Sequence, residues 1–211
     1  MQSKDIYLLG VGKYTEVIME LALDCGYEVK GLYHYNDQRK GDLVMGVRIL
    51  GSFEELFKSD IGGLNFGVTM GDNKLRTEVA KKIRSAGGLT PSLIHPKSEI
   101  SPSAKIGVGC FLHHSSFVWT RAQMGDDCIL SHNAHLSHHA IIEDGCSLSV
   151  MAMVGPYNTL KKQVFVGIDA TVLPGIGIIG TNCLIGAKAN VTKAYGANFT
   201  LVGNPARPLK K

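Results

Sequence analysis

Seven of the eight histidines fall in one stretch: His95, His113, His114, His132, His135, His138 and His139. An imidazole titrates near pH 6.5, so it takes up and releases protons at neutral pH. The pair His138–His139 lies in Leu136-Ser-His138-His139-Ala140, two residues past an aliphatic position. An outward imidazole there can act as a general base toward an amine or a hydroxyl. A second chemical feature is the turn Gly10-Val-Gly12-Lys13-Tyr-Thr15 after an apolar strand. It lets a phosphate or sugar approach the backbone and a helix N-terminus. A full dinucleotide fingerprint needs glycine where Thr15 stands, and an acid after the second strand, where Tyr33-His34-Tyr35 stands. NAD is therefore disfavoured.

The elements that must position these groups are set by a repeat. From Ile94 every sixth residue is aliphatic or methionine for sixteen steps, through Ile100, Ile106, Leu112 and onward to Ile178 and Leu184. Two residues ahead of each rung runs a row of small residues, from Ser92 through Cys110, Ala134 and Ala152. A large and a small side chain per six residues suit short strands facing a narrow interior. An echo at eighteen residues (Ile106-Gly-Val-Gly-Cys110, Met124-Gly-Asp-Asp-Cys128, Ile142-Glu-Asp-Gly-Cys146) closes three strands into one coil. This predicts a three-sided parallel β-helix of about five turns. The phase slips by one residue near Ile178, which predicts a bulged corner from Gly175 to Ile179.

Cys110, Cys128 and Cys146 lie eighteen apart on the small-residue row. In-register stacking at about 4.8 Å does not meet disulfide geometry, so these are packed, reduced thiols. Cys25 and Cys183 complete the set.

Ahead of the repeat, strands and helices alternate. Strands are expected at Asp5–Leu9, Tyr27–Tyr33 and Phe66–Met70, and helices over Val17–Cys25 and Lys74–Ala86, with Ser52 capping a short helix. That alternation predicts a small parallel, Rossmann-like sheet with helices on its faces. The fold class is thus an α/β N-terminal domain over residues 1–92, then a parallel β-helix over 93–211. Ligands in such sheets bind beyond the carboxyl strand ends, here Gly10 to Lys13, His34, and Gly71-Asp72-Asn73.

The formal charge is +4, with basic residues scattered among acids. No basic stripe suggests a nucleic acid partner. Arg207, Lys210 and Lys211 form the one local cluster, suited to phosphates. No apolar run approaches a membrane span and the N-terminus lacks a signal-peptide pattern, so a soluble cytoplasmic protein is expected.

The order of parts is specific. A small α/β domain, then Leu93-Ile-His95-Pro96 leading into hexapeptide coils, Val172-Leu-Pro-Gly175, and a terminal Val202-Gly-Asn-Pro-Ala-Arg207 follow one another. This resembles the sugar acyltransferases of the sialic-acid O-acetyltransferase and bacillosamine N-acetyltransferase type, over essentially the whole chain. The resemblance implies a left-handed β-helix, a homotrimer, acetyl-CoA as cosubstrate and a nucleotide-linked sugar as acceptor in surface-polysaccharide synthesis. It implies a CoA site between neighbouring subunits. His138 falls on the family's catalytic histidine, with His139 beside it.

Three positions depart from the family. His139 stands where an acid follows the base, and Ser147 replaces a second histidine. Pro156, which lacks an N–H, stands one coil above the base, where a glycine N–H meets the thioester carbonyl. Either Gly155 or Tyr157 then supplies that donor from a reshaped corner, or the acyl donor sits differently. The implied donor site comprises Gly155, Tyr157, Gly167, Gly186, Ala187, Lys188 and Arg207. The acceptor site comprises Gly10, Gly12, Lys13, His34, Gly71, Asp72, Asn73 and Ser147.

Zinc of the carbonic-anhydrase type, which β-helix prisms can host, uses histidines five residues apart. Here the nearest spacings are six (His132 to His138) and four (His135 to His139), so no metal is expected. An N-acetyltransferase is the leading expectation, because a hydroxyl would suffer more from losing the acid beside His138. The alternatives are a sugar O-acetyltransferase and a non-catalytic nucleotide-sugar-binding trimer.

Overall fold

The computed structural model describes residues 4–209, in two compact units that divide between Leu93 and Ile94. Lys210 and Lys211, expected at phosphates, lie outside the described residues.

The first unit runs β1 (Lys4–Leu9), α1 (Lys13–Asp24), β2 (Tyr27–His34), β3 (Leu43–Val44), β4 (Val47–Ser52), α2 (Phe53–Leu56), β5 (Phe66–Val68) and α3 (Asn73–Ser85). The sheet order is β3-β4-β2-β1-β5. All pairs are parallel except β3 with β4. On β1, paired on both sides, Ile6, Leu8 and Leu9 are all fully buried. Successive side chains point to opposite faces, so both faces of the sheet are covered.

Two details differ from the sequence expectation. Helix α1 starts four residues earlier than Val17, because Gly12 caps it and the Thr15 hydroxyl reaches back to the Gly12 N–H at 3.0 Å. The hairpin β3–β4 was not anticipated; it turns on Met45 and Gly46, with φ of 46° and 81°. Positive φ at both central residues is what a twisted two-residue hairpin needs.

The second unit is a parallel coil of short strands, from Leu93–Ile94 to Thr200–Val202. They stack in three sheets of six, five and eight strands, the last strand (Arg207–Pro208) being antiparallel. This is the left-handed parallel β-helix, with six coils rather than about five. Residues eighteen apart pair directly, as Phe117 with His135 and Leu136 with Val154. The interior holds the ladder and the small row, including fully buried Leu112, Leu130, Leu148, Cys110, Cys128 and Cys146. None of these thiols forms a disulfide. Cys110, Cys128 and Cys146 donate to carbonyls of Gly125, Glu143 and Lys161 at 3.1, 3.2 and 3.1 Å, and burial pushes the Cys128 thiol well up.

The expected slip is present: Thr159 pairs with Ile178 and Leu160 with Ile179. Gly175 and Gly177 take up the extra residue with φ of 65° and 98°. As a result Ile178 and Leu184, the last two rungs of the simple count, face outward with 51% and 43% exposure. Ile179, Ile185 and Val191 take their places inside.

Most corners are tight turns with a left-handed third residue. His139, Tyr157 and Gln163, for example, have φ of 57°, 60° and 62°. At the His138 corner the turn closes through Ala140 N–H to Ser137 O at 3.2 Å. The corners stack into three edges. One carries Thr120–Arg121, His138–His139, Pro156–Tyr157 and Pro174–Gly175; another carries His114–Ser115, His132–Asn133, Ile168–Asp169 and Ala187–Lys188.

Candidate active site

The His138 edge holds a compact aromatic group. His138 Nδ1 lies 3.1 Å from His139 Nδ1. The Tyr157 ring stacks on His139, with centroids 5.4 Å apart and planes at 29°. It meets His138 edge-on at 5.3 Å. Both histidines are half-buried. Among the described residues His138 Nε2 has no hydrogen-bond partner, so it is the nitrogen left for a ligand.

The backbone above His138 is distinctive. At other corners the left-handed residue donates its N–H to the coil below, as His139 to Thr120 O (3.0 Å), Gly175 to Pro156 O (2.9 Å) and Met151 to His132 O (3.0 Å). Tyr157 makes no such bond to His138 among the described residues. The sequence left two candidates for the oxyanion donor, and the geometry separates them. Gly155 N–H is already committed to Val172 O at 2.8 Å, and a Cβ there would sit 2.7 Å from Pro174 N. Its glycine is explained by coil packing. Tyr157 N–H remains.

Asn158 holds this corner in place and was missed. It is 1% exposed, and its amide donates to Gly155 O at 2.9 Å and Leu173 O at 2.8 Å. Its Oδ1 accepts from Gly177 N–H at 3.2 Å. The available signal was an asparagine on a row otherwise built of small residues.

The remaining donor residues lie elsewhere on the coil. Gly167 packs like Gly155, its absent Cβ 2.7 Å from Ala187 N. Gly186, Ala187 and Lys188 form a corner on another edge, with Ala187 and Lys188 exposed. Exposed Arg207 uses Nη1 on the Ala206 carbonyl at 2.9 Å. Lys188 and Arg207 offer cations of the kind that phosphates need. A single prism thus does not bring His138 and Lys188 onto one edge. Ser147 is 6% exposed, inside the strand Ser147–Leu148.

A second group of histidines occupies the Lys188 edge nearer the start of the coil. His113 is 4% exposed; burial first, then His132 and His95, holds its imidazole down to about 4. His113 stacks on His132 at 5.3 Å and His95 meets His114 at 5.2 Å. Among the described residues no group of three or more His, Cys, Asp or Glu is arranged to hold a metal.

In the first unit a cleft of about 550 Å³ opens at the carboxyl ends of β1, β2 and β5. Gly10, Gly12, Lys13, His34, Gly71 and Asp72 all line it, joined by the exposed ring of Tyr35. Gly10 has φ of 108°, and a Cβ there would lie 2.9 Å from Thr69 Oγ1. The Thr15 hydroxyl, fully buried, ties the loop to Gly10 O at 3.0 Å and Thr69 Oγ1 at 2.9 Å. The residue that breaks the dinucleotide fingerprint therefore braces the loop. His34 Nδ1 rests 2.9 Å from Asn36 Oδ1 and its ring lies 4.1 Å from Tyr35. Asp72 caps α3 through Leu75 N–H at 2.8 Å. Asn73 stands apart from the lining and binds Arg76 Nη2 at 2.9 Å.

Residues 5–83 match the PglD N-terminal domain family. The whole fold matches a mutant GDP-perosamine N-acetyltransferase of Caulobacter crescentus in complex with CoA and GDP-perosamine, with a TM-score of 0.91 and 25% identity over 98% of this chain and 97% of that one. The chain is built like a sugar N-acetyltransferase of the bacillosamine type. The acetyltransferase domain of PglB from Neisseria gonorrhoeae shares the fold, with a TM-score of 0.89 and 24% identity over 98% of this chain and all (100%) of that one. A putative acetyltransferase of Schizosaccharomyces pombe is 43% identical over 56 residues, 26% of each chain. An uncharacterised protein of Acanthamoeba polyphaga mimivirus is 28% identical over 107 residues, 51% of this chain. These matches span only 26% and 21% of those two relatives. No helix among the described residues is long and apolar enough to cross a membrane.

Proposed function

We propose that this protein is an acetyl-CoA-dependent N-acetyltransferase acting on a nucleotide-linked amino sugar, with His138 as general base. The observation that carries the reading is the His138 corner. A half-exposed imidazole has one nitrogen held and the other open, beneath an unstitched backbone N–H. The match to a transferase solved with CoA and GDP-perosamine supports the substrate class. The cleft at the strand ends, with its braced glycine loop, supports a nucleotide seat.

The acceptor amine attacks the thioester carbonyl, and His138 Nε2 takes the proton the nitrogen sheds. Tyr157 N–H is the donor suited to the oxygen as it gains negative charge. Expulsion of the thiolate leaves an amide on the sugar, and His138 returns its proton to that sulfur. Lys188 and Arg207 would meet CoA phosphates. The placement of Lys188 on another edge from His138 supports a homotrimer, in which one subunit's base faces its neighbour's donor site. The reading includes a cytoplasmic role in surface-polysaccharide synthesis.

A pair of acceptors tests the reaction: matched nucleotide sugars bearing either an amine or a hydroxyl at the same position. Mass spectrometry should find acetylation of the amine with release of one thiol per product. Acetylation of the hydroxyl alone would make the protein an O-acetyltransferase. Nucleotide-sugar binding without acetyl-CoA binding, measured by calorimetry, would make it a non-catalytic binder.

A further inference from the structure

We propose that His139 is a positioning residue that holds His138 as its Nδ1–H tautomer and so presents the Nε2 lone pair to the acceptor. The proposal rests on the reading of His138 as base. With the two Nδ1 atoms 3.1 Å apart, one must carry the hydrogen and the other must accept it. If His138 accepted, its own hydrogen would sit on Nε2 and no lone pair would remain for proton abstraction. If His138 donates, Nε2 is a base and His139 keeps its hydrogen on its own Nε2. Which nitrogen of a histidine is basic is set by the bond the other makes.

The surroundings hold His139 in this role. It sits in the left-handed corner position, with φ of 57°, and its ring lies beneath Tyr157 at 5.4 Å. The corner positions on this edge hold no carboxylate. Arg121 stands one coil below His139 and Tyr157 one coil above, and these are the titratable side chains at the neighbouring corners.

A second imidazole does part of what a carboxylate would do. It accepts the Nδ1–H bond and orients the ring, but it adds no negative charge. When His138 gains a proton at Nε2, its Nδ1–H goes on donating to the His139 lone pair. A second proton on the pair would set two Nδ1–H groups against each other and break the contact. The intact pair therefore carries one added proton, which enters and leaves through His138 Nε2.

Two variants suit the left-handed backbone. His139→Gly removes the acceptor without strain, and His139→Asp supplies a charged one. Nitrogen-15 NMR of the imidazoles at pH 8 reads the tautomer without turnover. Wild-type His138 should be the Nδ1–H form, and in His139→Gly it should revert to Nε2–H. In kinetics, His139→Gly should lower kcat roughly 10–100-fold with KM for both substrates unchanged, the scale typical of groups that orient an active side chain. His139→Asp should recover most of kcat. Its acid limb should move to higher pH, because a carboxylate favours the imidazolium. Wild-type His138 found as Nε2–H, or His139→Gly with undiminished kcat, would overturn the proposal. Normal turnover by His138→Ala would instead remove the base, while the tautomer signal still reports on His139.

Discussion

The coil carries two groups of histidines, and they are built for different ends. On one edge His138 is half-buried, paired through Nδ1 to His139 and open at Nε2. On another, His113 is 4% exposed and packed among His95, His114 and His132. Burial and like neighbours keep His113 neutral, down to about 4. A base needs a route to its substrate and a partner that fixes its tautomer. In the proposed reading His138 has both, whereas His113 is a buried wedge in the wall of the prism. Histidine richness alone therefore says little about chemistry; the corner a histidine occupies says much more.

The comparison breaks most visibly in turnover. His138→Ala should lose about 10²–10⁴-fold in kcat, the usual worth of a general base. His113→Leu should leave kcat unchanged, and a comparable loss there would erase the distinction. In stability the ranking reverses. The His113 imidazole is held down when folded, to about 4, against about 6.5 when unfolded. Between these values the unfolded chain binds more protons, so its contribution is complete above about 6.5 and falls away as pH drops toward about 4. The full loss is on the order of 3 kcal/mol. Denaturant titrations at pH 7.5 and 5 should show about 2 kcal/mol of it in the wild type, and the slope should flatten in His113→Leu. The smallest effect belongs to the first unit. Thr15→Val should cost about 1 kcal/mol by loosening the glycine loop and raise KM for the nucleotide sugar several-fold with kcat kept, measured by steady-state kinetics.

Much of this was legible along the chain. A six-residue period is a property of the backbone coil itself, so the three sheets and the slip near Gly175 followed from counting. Counting failed where side chains or single dihedrals decide. Ile178 and Leu184 keep the period yet face outward, because the extra residue at the bulge had already shifted the phase. The β3–β4 hairpin depends on Met45 adopting a left-handed conformation that its type does not advertise. Counting also stacks His95 on His113, but the rings cross diagonally and His95 meets His114. At the site, position put His138 at a corner and Pro156 above it. Position did not disclose that His139 turns back onto His138, that Asn158 ties the corner above, or that Thr15 replaces a fingerprint glycine with a hydroxyl brace. Those are contacts made by side-chain reach, which spacing along a sequence does not encode.

The central claim is that the His138 corner transfers an acetyl group. Thiol release from acetyl-CoA, followed in the presence and absence of a nucleotide-linked amino sugar for wild type and His138→Ala, tests it most directly. The account predicts acceptor-dependent release by the wild type, and its near-abolition in the variant while calorimetry shows both ligands still bound. Equal release by the two proteins would contradict it.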